Sequence, residues 1–97
     1  MAGTPDRKAG SASKKQRVQG VSTATDVTTV PTILQRIVLS NADAAKQTLT
    51  VADGGTVLTV LQQQPGTSTT HLFGIAMGTK LTVTPSSANI DALCVFD

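Results

Sequence analysis

Ninety-seven residues with one cysteine, two aromatics and a formal net charge of +2 define a single small domain and exclude an intrachain disulfide. His71 and Cys94 are the only soft ligands, and one such pair cannot fill a tetrahedral metal site, so neither a metal nor any other cofactor is expected. With Phe73 and Phe96 as the only aromatics, the core must be built from Val, Leu, Ile and Ala. A core that thin in a scaffold this small calls for association with other chains.

The charge is unevenly spread. Residues 1–20, "MAGTPDRKAGSASKKQRVQG", carry Arg7, Lys8, Lys14, Lys15 and Arg17 against Asp6 alone; residues 21–97 carry Arg36, Lys46 and Lys80 against Asp26, Asp43, Asp53, Asp91 and Asp97. A basic tail on a mildly acidic body reads as an interaction arm directed at an acidic protein surface or a nucleic acid. No apolar run follows the opening charges as a signal peptide requires, and none reaches the length of a membrane span. Export and a membrane partner are therefore not expected.

In chain order, residues 1–20 are rich in Gly, Ser, Ala, Lys and Arg without periodicity, a disorder signature. "VSTATDVTTVPT" (21–32) is dominated by Val and Thr, whose branched Cβ favours extended backbone. Pro31 biases Val30 toward the same conformation. This stretch is expected to be an extended strap, with an edge strand as its one candidate element. "ILQRIVLS" is a strand by composition, with Ile33, Ile37 and Leu39 on the parity of Gln35. "NADAAK" (41–46) is a turn. "QTLTVA" places Leu49 and Val51 on one face and Thr48 and Thr50 on the other. "DGG" (53–55) is a hairpin turn. "TVLTVLQQ" is apolar on both faces and so is expected to be a central strand.

After the loop "QPGTST" (64–69), "THLFGIAM" sets His71, Phe73, Ile75 and Met77 on one parity. "GT" (78–79) turns the chain, "KLTVT" alternates, "PSSAN" (85–89) turns it again, and "IDALCVFD" is the last strand. Short strands between turns at this spacing predict an all-β sandwich or barrel. The only helical candidate, "ADAAKQ", is too short to stand alone. The triplet Leu-Thr-Val recurs at 49–51, 58–60 and 81–83, but at unequal spacing, which is shared strand composition and not a repeat.

No residue set declares a reaction. His71 lacks a recognisable nucleophile elbow or triad around it and reads as a structural or surface histidine. Cys94, inside the apolar "ALCVF", reads as a small buried hydrophobe and not as an activated thiolate. Asp43, Asp53 and Asp91 fall in or beside predicted turns, where Asp bonds the backbone, and nothing resembles a calcium loop. Neither "DGG" nor "PGTS" is followed by the Lys and helix of a phosphate cradle. The sequence thus predicts a protein that is not an enzyme, with no catalytic, cofactor or metal residues. Partner binding is assigned to the arm, through Arg7, Lys8, Lys14, Lys15, Arg17, Val18, Val21, Val27 and Val30.

One resemblance runs through residues 33–97. A hydrophobic strand ends in Asn ("RIVLSN"), then a turn, a Thr-rich strand ("QTLTV"), a "DGG" turn and an apolar strand ("TVLTVL"). A polar loop, another apolar strand, "GTKLTVT" and a closing strand follow. With "LSN" and "GTKLTV" as landmarks, this order resembles the small β-sandwich proteins of tailed bacteriophage virions, the decoration or cement proteins of capsids and related head or tail accessory subunits. The resemblance implies a non-enzymatic structural virion protein, homotrimeric, assembled in the host cytoplasm. Its partners would be the major capsid protein or other virion subunits, reached by an N-terminal arm lying on a neighbour.

The expected architecture is all-β: a small antiparallel β-sandwich, jelly-roll-like, over residues 33–97, preceded by an extended basic, Thr-rich arm over 1–32. The expected function is capsid decoration that stabilises the head by bridging adjacent subunits. The alternative is a tail or neck accessory or receptor-binding module anchored by the arm; the lack of aromatics weighs against a sugar site. A nucleic-acid partner is disfavoured because the arm offers phosphate contacts but no stacking side chain.

Overall fold

Val and Thr runs separated by Gly-, Pro- and Asn-bearing turns fold into strands only. The computed structural model describes residues 14–97, and the charged positions Arg7 and Lys8 lie outside them. The strands are β1 (Lys14–Gln19), β2 (Thr25–Asp26), β3 (Thr32–Asn41), β4 (Gln47–Asp53), β5 (Thr56–Gln63), β6 (Ser68–Met77), β7 (Leu81–Pro85) and β8 (Ile90–Phe96). They form two four-stranded sheets, ordered β1-β8-β3-β6 and β2-β7-β4-β5, with every pairing antiparallel.

That order has a simple origin. β1 pairs β8, β2 pairs β7, β3 pairs β6 and β4 pairs β5, as in one long hairpin whose tip is the β4–β5 turn. Rolling the hairpin over itself adds the two remaining pairings, β3 with β8 and β4 with β7. The result is an eight-stranded jelly roll, the double-sheet form in which two packed layers share one core. The tip is the expected "DGG" turn: β4 ends at Asp53, β5 starts at Thr56, and Gly54 has φ +59°, a left-handed value that glycine adopts without a Cβ penalty.

The core lies between the sheets. Leu34, Ile37 and Leu39 of β3 meet Leu49 and Val51 of β4, Leu81 and Val83 of β7, and Ile90, Ala92 and Cys94 of β8. Aliphatic side chains therefore fill the sandwich, with Phe96 at one end of the cluster and Phe73 packed against it.

Three sequence expectations change. The sandwich does not begin at residue 33. Lys14–Gln19 is the edge strand of the first sheet, and Val18, 3% exposed, belongs to the core. The strap is stitched to β7 as well: Val27 N–H donates to the Leu81 carbonyl at 2.8 Å, and Leu81 N–H donates to the buried Thr28 hydroxyl at 3.0 Å. Without β1, β8 would present a bare, apolar edge.

On β3, Leu34 and not Ile33 faces the core, because the register shifts between Leu34 and Arg36. The extra residue, Gln35, flips the parity of everything before it. Finally, "TVLTVLQQ" is no central strand. It is β5, the edge of the second sheet, with Val57, Leu58 and Val60 exposed.

Candidate partner-binding surfaces

The polar turn residues are engaged within the chain. Asp53 holds the β6–β7 turn: its carboxylate accepts N–H bonds from Gly78 at 2.8 Å, Thr79 at 2.9 Å and Lys80 at 3.3 Å. These donors stabilise the charged form and lower its pKa from 3.8. Asp43 is lowered in the same direction, first by the Ser87 hydroxyl and then by the Asn89 amide. Asp26 is lowered by Lys80, whose Nζ donates at 3.0 Å, and by the Thr82 hydroxyl. Asp91 lies in β8, just beyond the β7–β8 turn, 3.2 Å from Arg17 Nε.

At the other end, buried Asn41 donates to the carbonyls of Ala45 at 3.0 Å and Gln63 at 2.9 Å, and accepts from Asp43 N–H at 2.8 Å. Buried Gln63 in turn donates to the hydroxyls of Thr67 and Thr69, at 2.7 and 2.9 Å. These bonds close the jelly-roll end where β3, β5 and β6 meet. The asparagine that ends "RIVLSN" is thus a structural hub.

Cys94 is fully buried in β8, and desolvation pushes its thiol up from 9.0 to about 12. It is the inert hydrophobe expected. His71 sits half-buried on the inner parity of β6, opposite Ile37, and its Nε2 has no hydrogen-bond partner among the described residues. No pocket and no cluster of three or more metal-ligating side chains is present among the described residues.

What remains is surface, of two kinds. The first is the outer face of the first sheet. Side chains opposite one another across paired strands share a face, so the register aligns Lys15, Val95, Arg36 and Leu72 in one row and Arg17, Leu93, Val38 and Thr70 in the next. Three cations alternate here with aliphatic side chains. Val95 is buried on this outer face, flanked by Lys15 and Arg36, whose aliphatic stems can lie over it. The Arg17–Asp91 contact is the only ion pair on this face among the described residues.

The second is a flank. β6 borders the first sheet and β5 the second. The Gln63–Thr69 bond joins the end of β5 to the start of β6, so both free edges lie on the same side of the sandwich. From Thr56 to Met77 there is no Asp, Glu, Lys or Arg. Val57 is 60% exposed and Leu72 79%, with Leu58, Val60 and Ile75 also exposed; Val57 and Leu72 stand on the outer faces of their own sheets, at the two rims of this flank.

Of the arm residues assigned to partner binding, Lys14, Lys15 and Arg17 are exposed on β1, and Val21 and Val30 are exposed in the strap. Val18 and Val27 are turned to the protein's own core and not to a partner. Arg7 and Lys8 lie outside the described residues. Sequence reading passed over Arg36, which register alone brings beside Lys15, and the β5–β6 flank, which only strand order makes an edge.

No family model matches the chain, and neither a curated protein nor a solved structure matches it.

Proposed function

We propose that the protein is a non-enzymatic structural virion protein, a capsid decoration protein that stabilises a phage head by binding adjacent capsid subunits as a homotrimer. The observation that carries this reading is the outer face of the first sheet, where Lys15, Arg17 and Arg36 alternate with Val38, Leu93 and Leu72. Cations set in register on one β face suit an acidic protein partner. The aliphatic neighbours supply the apolar area from which most of the binding energy comes.

Residues 1–13, which include Arg7 and Lys8, precede β1 in the sequence. Binding the assembled shell and not its free subunits stabilises the shell by mass action. Several copies bridging neighbouring subunits make modest contacts cumulative.

Binding to heads that lack the protein tests this. Wild-type protein is expected to occupy them at saturable, stoichiometric levels. Lys15→Glu with Arg36→Glu is expected to lower occupancy at least tenfold, the equivalent of about 1.4 kcal/mol, while the sandwich stays folded. Undiminished occupancy by the double variant overturns the assignment of this face. Tight binding to DNA, weakening steeply with salt, overturns the protein-partner reading.

A further inference from the structure

We infer that the β5–β6 flank is a self-association surface, covered in solution by the same flank of a second copy of this chain. The inference rests on that reading's homotrimer, whose contact surface it names, while attachment to the particle is tested apart from it.

The two sides of the sandwich treat their edges differently. An edge strand offers unpaired N–H and C=O groups, and a soluble protein blocks them with lysines, prolines or shortness. On one side the molecule does this. β1 carries Lys14, Lys15 and Arg17 along its exposed length, and β2 is two residues long. On the other side neither device appears. β5 and β6 run for eight and ten residues without a charge or a proline, and their exposed side chains include Val57, Val60, Leu72 and Ile75. The irregularities at Leu58 and Gly74 bend these strands locally. They leave Thr59–Gln63 and Ser68–Leu72 in unbroken register with their inner neighbours, so a regular outer edge remains on each.

The identity of the occupant follows from charge and symmetry. A charged partner would lose hydration against this flank and find no counter-ion there. A second copy of the flank brings no charge at all. The outer face of the first sheet, by contrast, would repel itself through Lys15 and Arg36. Each copy also presents one edge from each sheet, so β5 of one can meet β6 of the next and the set closes around a rotation axis. The lysines on β1 oppose the alternative, open-ended addition of β5 onto β1.

The size is adequate. Ten residues at about 3.3 Å each give an edge about 30 Å long. Taken across the smallest extent, 19 Å, that is on the order of 600 Å² of projected face per copy. A standard interface takes about 800 Å² from each partner.

The test uses the full chain. Sedimentation velocity at about 100 µM, where a Kd near 1 µM gives nearly complete association, is expected to show a closed dimer or trimer whose population is insensitive to salt. A monomer, an open-ended ladder or an oligomer dissolved by salt overturns the inference. Val57→Lys with Leu72→Lys, which places cations on both edges, is expected to weaken association about 100-fold or more. Val30→Lys, on an equally exposed valine of the strap, is expected to leave it intact. Should the double variant fail to fold, amide exchange on the wild type decides. The β5 and β6 amides are expected to gain protection with concentration, and concentration-independent exchange overturns the inference. Loss of head binding with the oligomer intact would contradict the virion reading alone.

Discussion

The carboxylate of Asp53 accepts the backbone N–H of Thr79 at 2.9 Å, and that bond ties the tip of the β4–β5 hairpin to the turn between β6 and β7. Gly54 N–H donates to the Lys80 carbonyl at 2.9 Å in parallel. The rolled hairpin is thus clasped at its tip by a charged acceptor facing three N–H donors.

Acid is expected to weaken this clasp. Folded Asp53, Asp43 and Asp26 all hold their protons more weakly than their ordinary value of 3.8. The unfolded chain therefore binds more protons in that range, and stability rises with pH there. Their contribution is complete above the ordinary value and is lost as pH falls below it. Denaturation midpoints measured from pH 7 to pH 2 should drop most steeply below about pH 4. Asp53→Ala should lower the midpoint at pH 7 and flatten the acid limb; an unchanged acid limb contradicts the clasp.

Alkali acts through Cys94 with the opposite sign. The folded thiol keeps its proton to about 12, whereas its ordinary value is 9.0. The folded state therefore binds more protons between these values, and stability falls as pH rises through them. Cys94→Ala should remove one proton's worth of that slope. At pH 8 a thiol reagent should label Cys94 only at the rate of unfolding; prompt labelling of native protein would contradict its burial.

Truncation separates the arm from the sandwich. Removing residues 1–13 leaves β1 whole. Removing residues 1–20 deletes β1 and uncovers the edge of β8. The lost burial of Val18 alone is worth about 1.5–3 kcal/mol, and the lost strand pairing adds to it. Equal stability of the two truncations would refute the membership of β1 in the first sheet.

Core and strap valleys of sensitivity should differ as sharply. Leu39→Ala empties a fully buried position between the sheets and should cost about 2–5 kcal/mol. Val30→Ala, at 61% exposure, should stay within about 0.5 kcal/mol. Urea denaturation with a common m-value reads both.

Most turns were legible because their chemistry is local. "DGG", "QPG" and "PSSAN" declare themselves through Gly, Pro, Ser and Asn whatever the strands do. The six strands from Thr32 onward follow from them. β1 carries no legible signal because five of the six residues in "KKQRVQ" are exposed; its single buried side chain, Val18, leaves no alternation to read. The parity of Ile33 was lost to the bulge at Gln35, a feature without a composition signal. β5 was misplaced because an apolar strand at a free edge and one at a sheet centre have the same composition; only the pairing order separates them. The same limit concealed both surfaces. Arg36 becomes a neighbour of Lys15 only through β8, and Val57 becomes exposed only because nothing pairs beyond β5.

The central claim is that the protein is a stoichiometric part of a virion. Quantitative mass spectrometry on particles purified from cells that produce this chain measures the proposed virion membership directly, as the copy ratio of the chain to the major capsid protein. A fixed ratio with many copies per head is the predicted result. Absence from purified particles, with the protein abundant in the infected cell, would contradict the account.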